Sequence, residues 1–133
     1  MVKIGHLEQF IMRKHHSKIL VLDDDQSNAE AIQAVLEEQS FEVSSICSSN
    51  ELMSSIQKFK PDLIIMDILL DMADGRTLCN QIKVGFQTAH IPVLLITAML
   101  ESQVLKVPNR ADAIIFKPFD CSSLYRKVSR LIH

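Results

Sequence analysis

The sequence lacks the features that mark a membrane, secreted or disordered protein. No apolar run approaches the roughly 18 residues of a membrane span, and we find no signal peptide before the first apolar segment. The formal net charge is only -2, which gives no general attraction to nucleic acid or an anionic membrane. Three glycines, with 47% hydrophobic and 23% charged residues, are typical of a globular chain. At 133 residues we expect one folded domain that contacts neither membrane nor nucleic acid.

Cysteine is also scarce. Cys47, Cys79 and Cys121 are odd in number and far apart, so they fit neither a disulfide framework nor a zinc site. We interpret them as packing residues of a protein from a reducing cytoplasm.

What the sequence does contain is a series of short apolar runs. Four are continuous: ILVL (19–22), LIIM (63–66), VLLI (93–96) and AIIF (113–116). Runs without alternation suit strands that are covered on both faces, as in a parallel sheet. A fifth segment, FEVSSI (41–46), alternates more nearly and is predicted to lie at a sheet edge.

Helical patterns occupy the gaps between these strands. Ser27 and Glu30 form a predicted capping box, Gly85 a predicted helix end, and Asp120 a predicted N-cap of the last helix. Strands that alternate with helices imply right-handed crossovers. The predicted fold is therefore an α/β doubly wound parallel sheet with helices on both faces.

Polar side chains stand where four of these strands end. They are Asp23, Asp24 and Asp25 after the first strand, Asp67 after the third, Thr97 after the fourth and Lys117 after the fifth. Sites in open α/β sheets gather beyond the carboxyl ends of the strands. These side chains are therefore expected to share one edge of the sheet.

The clustered carboxylates need a counter-charge. Two carboxylates ~4 Å apart repel by about 4 kcal/mol at an effective dielectric near 20. Mg²⁺ suits such a site, because it binds through a few carboxylates, several waters and a phosphate ligand. A carboxylate can also attack phosphorus, and Lys117 and Thr97 could contact the phosphoryl oxygens. The residues therefore predict a magnesium-dependent phosphoryl-transfer site.

Four motifs in order resemble the receiver domain of bacterial two-component response regulators. They are ILVLDDD, PDLIIMDILLDMADG, PVLLITA and IIFKPF, and the resemblance covers nearly everything from Lys18 onward. It implies a flavodoxin-like five-stranded sheet of order 2-1-3-4-5. We expect residues 17–133 to form the receiver domain and residues 1–16 to be an N-terminal extension, either helical or disordered.

The resemblance also assigns roles to individual residues. It makes Asp67 the phosphoacceptor, Thr97 the switch hydroxyl and Lys117 the partner of the phosphoryl group. It implies that Mg²⁺ is bound directly by Asp24, Asp67 and the backbone carbonyl of Leu69, and through water by Asp23. It further implies a cis bond between Lys117 and Pro118, and a turn at Asp74-Gly75 in which Gly75 has positive φ.

The resemblance implies a signalling role. The phosphoryl donor would be a histidine on a sensor kinase or phosphotransfer protein, and the domain would not be a turnover enzyme. Because we see no room for an output domain in this chain, we expect it to bind an unknown downstream protein. A homodimer, for which residues 1–16 could supply the contact, stays open.

The sequence departs from the family pattern in the loop after Asp67 and in the fourth connection. Asp71 stands where the family often has proline, and we interpret it as a solvated loop charge. Ile114 replaces an aromatic residue that swings inward in the family, and isoleucine is stiff at χ1. Pro108 lies in a connection that is about two residues short, which predicts a short or irregular fourth helix.

Two apolar residues are expected to flank the phosphoryl group. Leu69 and Met99 lie two residues after Asp67 and Thr97, respectively. Neither side chain can orient an attacking water. We therefore predict a long-lived phosphorylated form.

Two alternatives use the same residues differently. In the first, the chain is a phosphorylation-independent binding module of the same fold. In the second, it is a phosphohydrolase of the haloacid-dehalogenase type, in which Asp23 is the nucleophile and Asp25 the general acid. The segment DDDQS nearly matches the motif of those enzymes, but they usually need a longer chain and a further acidic pair.

Overall fold

A computed structural model describes residues 17–132 of the chain. The predicted N-terminal extension, residues 1–16, lies outside the described residues. Five strands form one parallel sheet: β1 (Lys18–Leu22), β2 (Glu42–Ile46), β3 (Leu63–Asp67), β4 (Val93–Thr97) and β5 (Ala113–Phe116). Their order in the sheet is β2-β1-β3-β4-β5. This order confirms the expected sheet topology, including the edge position of the alternating segment.

Five α-helices connect or follow the strands. They are α1 (Gln26–Glu38), α2 (Leu52–Phe59), α3 (Gly75–Val84), α4 (Glu101–Val104) and α5 (Cys121–Ile132). A 3₁₀ turn, Ser49–Glu51, leads into α2. The four-residue α4 confirms the expectation of a short fourth helix. Within the described residues, no helix has the length and apolar character needed to cross a bilayer.

The core consists of two hydrophobic layers, one on each face of the sheet. Leu20 and Leu22 of β1 contribute to the layer beneath α2, α3 and α4, whereas Ile19 and Val21 contribute to the layer beneath α1 and α5. Successive side chains of a strand point to opposite faces. The continuous apolar runs are therefore explained, because both faces of the sheet are covered.

The helix ends correct one prediction and confirm two. The cap of α1 is not Ser27 but Asp25, whose Oδ1 accepts the backbone N–H of Asn28 at 3.2 Å. The chain enters α1 almost directly from β1, so the helix begins earlier than the capping box implied. Asp120 caps α5 as predicted and accepts the N–H of Ser123 at 2.7 Å. Gly85 is the C-cap of α3, with φ of -72°.

The three cysteines do not share one role. Cys79 is buried in the core, as expected of a packing residue. Cys47 and Cys121 are exposed, so the packing interpretation is wrong for them. All three are free thiols in the described structure.

Candidate functional site

Lys117 and Asp67 form an ion pair at the carboxyl edge of the sheet. Nζ of Lys117 lies 2.9 Å from Oδ2 of Asp67, and the two side chains are only 26% and 11% exposed. Asp67 ends the central strand β3, whereas Lys117 follows the edge strand β5 and reaches past β4. Because water is largely kept from this pair, its attraction is screened less than that of a surface pair.

Asp23 brings a second carboxylate to the same place from β1, the strand beside β3. The residue is only 3% exposed, and burial raises the pKa of its carboxyl above the ordinary value. A backbone N–H from Asp25 lowers this pKa, while the nearby negative charges of Asp67 and Asp24 raise it further. The carboxylates therefore interact electrostatically, as the convergence of the strand ends predicted.

The loop after β3 orients Asp67. Its Oδ1 accepts the backbone N–H of Leu69 at 3.0 Å, while Oδ2 faces Lys117. Leu69–Leu70 then pairs antiparallel with Ala73–Asp74, which forms a tight two-stranded turn above the site. Both carboxylate oxygens are thus held, and the loop backbone stays close to Asp67.

Gly75 closes this loop, but not for the reason expected. Its φ is not positive, so the predicted conformational role is wrong. Its N–H donates to the carbonyl of Ile68 at 2.8 Å, and an added Cβ would lie 2.9 Å from Cα of Ile68 and overlap the carbonyl oxygen of Asp67. Glycine is required because two backbone segments pack against each other here.

Asp71 is exposed, as expected of a loop charge, but it is not isolated. Its backbone N–H donates to Oδ2 of Asp24 at 2.6 Å. A side-chain hydrogen bond with Asp24, together with the repulsion between the two charges, raises the pKa of Asp71. Asp71 therefore adds negative charge beside a predicted metal ligand, which sequence reasoning missed. The sequence did contain a signal for this contact. Unlike proline, aspartate at position 71 keeps a backbone N–H, which can donate to a carboxylate.

Thr97 is fully buried at the end of β4. Its Oγ1 accepts the backbone N–H of Met99 at 2.9 Å, which leaves the hydroxyl hydrogen available for donation. The backbone N–H of Lys117 donates to the carbonyl of Thr97 at 2.7 Å, so the ends of β4 and β5 are joined. The bond between Lys117 and Pro118 is cis, as expected.

The acidic donors suit a hard divalent cation. Within residues 17–132, no three His, Cys, Asp or Glu side chains form a complete metal cluster on their own. Mg²⁺ does not require one, because it usually keeps several waters and binds one or two carboxylates together with phosphate oxygens. Burial is the main reason that the pKa of Asp23 is raised, and repulsion from Asp67 and Asp24 raises it further; a bound cation would relieve this repulsion.

The geometry does not favour the phosphohydrolase alternative. That enzyme would use Asp25 as a general acid. Oδ1 of Asp25 instead caps helix α1 through the N–H of Asn28, and the residue is exposed. The nucleophile that it would serve, Asp23, is buried and accepts the N–H of Asp25.

An apolar groove adjoins the site between α1 and α5. It has a volume of about 410 Å³ and includes Ile32 and Val35 of α1, with Lys117, Phe119 and Leu124 on the opposite side. Lys117, which pairs with Asp67, is therefore one of the residues that line this groove.

Known proteins are similar to most of this chain. The family model described as "Response regulator receiver domain" matches residues 19–129. The chain is 29% identical over 117 residues to the DNA-binding dual master transcriptional regulator RpaA of a Synechocystis species, covering 86% of this chain and 48% of that protein. It is 31% identical over 117 residues to the response regulator PleD of Caulobacter vibrioides, covering 86% and 26%.

A solved structure has the same fold. The signal receiver domain of a signal transduction histidine kinase from Syntrophus aciditrophicus superimposes with a TM-score of 0.80 at 30% identity, covering 87% of this chain and 89% of that one. The chain spans about half or less of the length of the two curated relatives.

Proposed function

The chain belongs to the family of response regulator receiver domains, and we propose that it accepts a phosphoryl group on Asp67. Receiver domains of two-component response regulators are signal-transduction domains. We assign the receiver domain to residues 17–133 and regard it as a switch that is not a turnover enzyme.

The contact between Lys117 and Asp67 carries this proposal. The ammonium of Lys117 lies 2.9 Å from Oδ2 of Asp67. Once Asp67 carries a phosphoryl group, the same ammonium can contact a negatively charged oxygen of that group. As an oxygen of Asp67 forms its bond to phosphorus, the P–N bond of a phosphohistidine breaks and the imidazole nitrogen leaves with the electron pair. Phosphoryl transfer requires mainly alignment and charge neutralisation from the protein. Lys117 supplies a positive charge, and Thr97 supplies a hydroxyl donor.

Asp24, Asp67 and the backbone carbonyl of Leu69 would hold Mg²⁺, with Asp23 acting through a water. When bound, the ion neutralises charge on the transferred group. The support for this assignment is the donor set itself: oxygen atoms only, with carboxylates close enough to repel. Lys117 then remains free to contact a second phosphoryl oxygen.

The phosphoryl donor would be a histidine on a sensor kinase or a phosphotransfer protein. Such a donor must bring its imidazole to Asp67, and the groove between α1 and α5 adjoins Lys117. We expect the segment that carries the histidine to place apolar residues against the groove, whose lining is mostly apolar. We propose the groove as the donor's docking site.

The output would be binding of a downstream protein. RpaA is described as DNA-binding, but the matched part is 48% of its length. That the present chain does not itself contact nucleic acid stays a prediction, supported by its net charge of -2. A homodimer is an alternative output.

Covalent labelling tests the proposal against both alternatives. The protein is incubated with acetyl phosphate and Mg²⁺, the acyl phosphate is trapped by borohydride reduction, and the modified residue is located by mass spectrometry. Label on Asp67 that is lost in Asp67→Asn supports the proposal. Label on Asp23 would indicate the phosphohydrolase, and no label would indicate a phosphorylation-independent module.

Asp25→Asn is the matched control. Asparagine caps helices as well as aspartate does, so helix α1 should be preserved. The receiver mechanism predicts unchanged labelling of Asp67 in this variant, whereas a phosphohydrolase would lose its general acid.

A further inference from the structure

Arg76 is a buried cation whose partners lie in two separate segments. It is the second residue of α3 and only 6% exposed. Its Nε and Nη2 donate to the two carboxylate oxygens of Asp74, at 3.0 and 2.7 Å. Its Nη1 donates to the backbone carbonyls of Gln103 and Val104, at 3.0 and 3.1 Å. One guanidinium therefore joins the loop before α3 to the end of α4.

The first of these segments, the loop before α3, lies against Asp67, the proposed phosphoacceptor. Asp74 is the N-cap of α3 and belongs to the two-stranded turn that contains Leu69. The next residue, Gly75, packs against the carbonyl of Asp67 and donates to that of Ile68. A displacement of the loop after Asp67 would therefore shift the carboxylate that Arg76 grips.

The second segment follows directly after Thr97, whose hydroxyl is buried. Thr97 accepts the N–H of Met99, and α4 begins two residues later at Glu101. The carbonyls of Gln103 and Val104 lie at the end of this helix, where most carbonyls lack an intrahelical N–H donor; that of Gln103 also accepts the N–H of Lys106 at 3.2 Å. Arg76 donates to both carbonyls, so its side chain forms a polar connection from α3 to the end of α4.

Two further polar side chains follow Arg76 along α3. Asn80 donates to the carbonyl of Pro108 and accepts the N–H of Arg110, both at 2.9 Å, and Lys83 pairs with Asp112 at 2.6 Å. These residues fasten the connection between α4 and β5 to α3. Their contacts do not extend to Asp74, which makes Asn80 a matched control for Arg76.

The hydrophobic core also holds the segment after Thr97, but through apolar contacts, which are less specific than the hydrogen bonds of Arg76. Ile114 packs in the same layer as Met99 and Val104. An isoleucine has few χ1 choices and no polar group, so it cannot form or break a hydrogen bond to the Thr97 hydroxyl. The hydrogen bonds of Arg76 are directional, and they join defined partners in both segments: the carboxylate of Asp74 and the carbonyls of Gln103 and Val104.

We propose that Arg76 is a positioning residue that couples the loop after Asp67 to the segment after Thr97, so that the state of Asp67 is transmitted to residues 100–110. This inference rests on the proposed phosphorylation of Asp67. The planar guanidinium of arginine is needed, because it donates two hydrogen bonds to the Asp74 carboxylate and still donates to two backbone carbonyls. Lysine, a compact charge, cannot make all four contacts.

Hydrogen exchange tests the coupling. The full chain is measured with and without Mg²⁺ and beryllofluoride, an analogue of the phosphoryl group. In the wild type, we expect changed exchange both in residues 68–75 and in residues 100–110. In Arg76→Met, the change at 68–75 should remain, whereas that at 100–110 should fall by about fivefold or more, the scale of a typical coupling free energy. Asn80→Ala should retain the change at 68–75 and that at residues 100–106, because its own contacts are with Pro108 and Arg110.

Asp74→Asn provides a second variant if Arg76→Met does not fold. Asparagine preserves the helix cap but removes the charge that holds the guanidinium, so the response at 100–110 should again weaken. Wild-type responses at 100–110 in both variants would overturn the coupling while leaving the proposed function intact. No response of either segment in the wild type would instead overturn the proposed function, and this inference with it.

Discussion

The ammonium of Lys117 lies 2.9 Å from Oδ2 of Asp67, across fifty residues of sequence and one intervening strand. The other oxygen of Asp67 is held by the N–H of Leu69. A carboxylate that is gripped from two sides is already oriented before any phosphoryl donor or cation arrives. This preorganisation is the basis of the first prediction.

Replacing Lys117 should impair phosphorylation more than folding. In Lys117→Met, the rate of Asp67 labelling by acetyl phosphate should fall roughly a hundredfold, the scale of losing one preorganised electrostatic contact. The rate is measured by phosphate trapping over time, with circular dichroism to verify the fold. Lys106→Met, a change of an exposed lysine, should label normally. Wild-type kinetics in Lys117→Met would contradict the assigned role.

The bridge from Asp74 to Arg76 predicts a pH dependence of stability. A hydrogen bond from the guanidinium, aided by backbone N–H groups, lowers the pKa of Asp74 below its ordinary value of 3.8. The ionised carboxylate is therefore favoured in the folded state, and its stabilisation is complete above the unfolded pKa. It is lost as the pH falls through the lower, folded pKa.

Urea denaturation at several pH values tests whether the contribution of Asp74 to the unfolding free energy falls on acidification. The unfolding free energy of wild type should exceed that of Asp74→Asn by a constant amount near neutrality. The difference should shrink below about pH 4, as the wild-type carboxyl is protonated. A difference that grows on acidification would show that the ion pair does not stabilise the fold.

Gly75→Ala should destabilise the protein, although alanine is the better helix former. The added Cβ would overlap the carbonyl oxygen of Asp67, a backbone atom with little freedom to move. We expect a loss of about 1–3 kcal/mol in unfolding free energy, as for overpacking. Gly85→Ala is the comparison, because its Cβ would meet the Thr88 hydroxyl, a side-chain group rather than backbone. That hydroxyl donates to the carbonyl of Ile82 at 2.7 Å, so moving it costs one hydrogen bond, and we expect a smaller loss than at Gly75. Equal losses in the two variants would contradict the backbone clash.

Asp71 should strengthen cation binding at Asp24. Asp71→Asn removes a negative charge beside Asp24 and should weaken Mg²⁺ binding roughly two- to fivefold at low ionic strength. Asp71→Pro also removes the N–H that holds Oδ2 of Asp24, so its effect should be larger. Calorimetric titration with Mg²⁺ measures both, with Glu38→Gln as a charge-matched change at the far end of α1. Unchanged affinity in both Asp71 variants would refute the interaction.

The phosphorylated form should be long-lived. Leu69 is 58% exposed and Met99 is partly buried against the core, and neither carries a polar group to orient water. After removal of the donor, we expect the acyl phosphate to persist for minutes or longer in Mg²⁺. Leu69→Asn should shorten this lifetime several-fold by orienting a water, whereas Leu69→Ala should not. Decay of the wild-type form within seconds would rule out the prediction.

The apolar runs and their spacing were sufficient to predict the parallel sheet, and with it the placement of Asp23, Asp67, Thr97 and Lys117 at one edge of that sheet. The physical reason is geometric: the strands of the sheet run parallel, so every carboxyl end faces the same edge. Side chains placed immediately after those strands must then converge, whatever the loops between them do.

Tertiary structure alone decided the contacts between loops. The overlap that forbids a Cβ at Gly75, the hydrogen bond from Asp71 to Asp24 and the four bonds of Arg76 each depend on distances between segments that local patterns do not specify. The shift of the α1 cap from Ser27 to Asp25 has the same origin, because packing of the helix on the sheet determines where its first turn begins. Local pattern determined which residues meet at the sheet edge, and packing determined how the surrounding loops hold them.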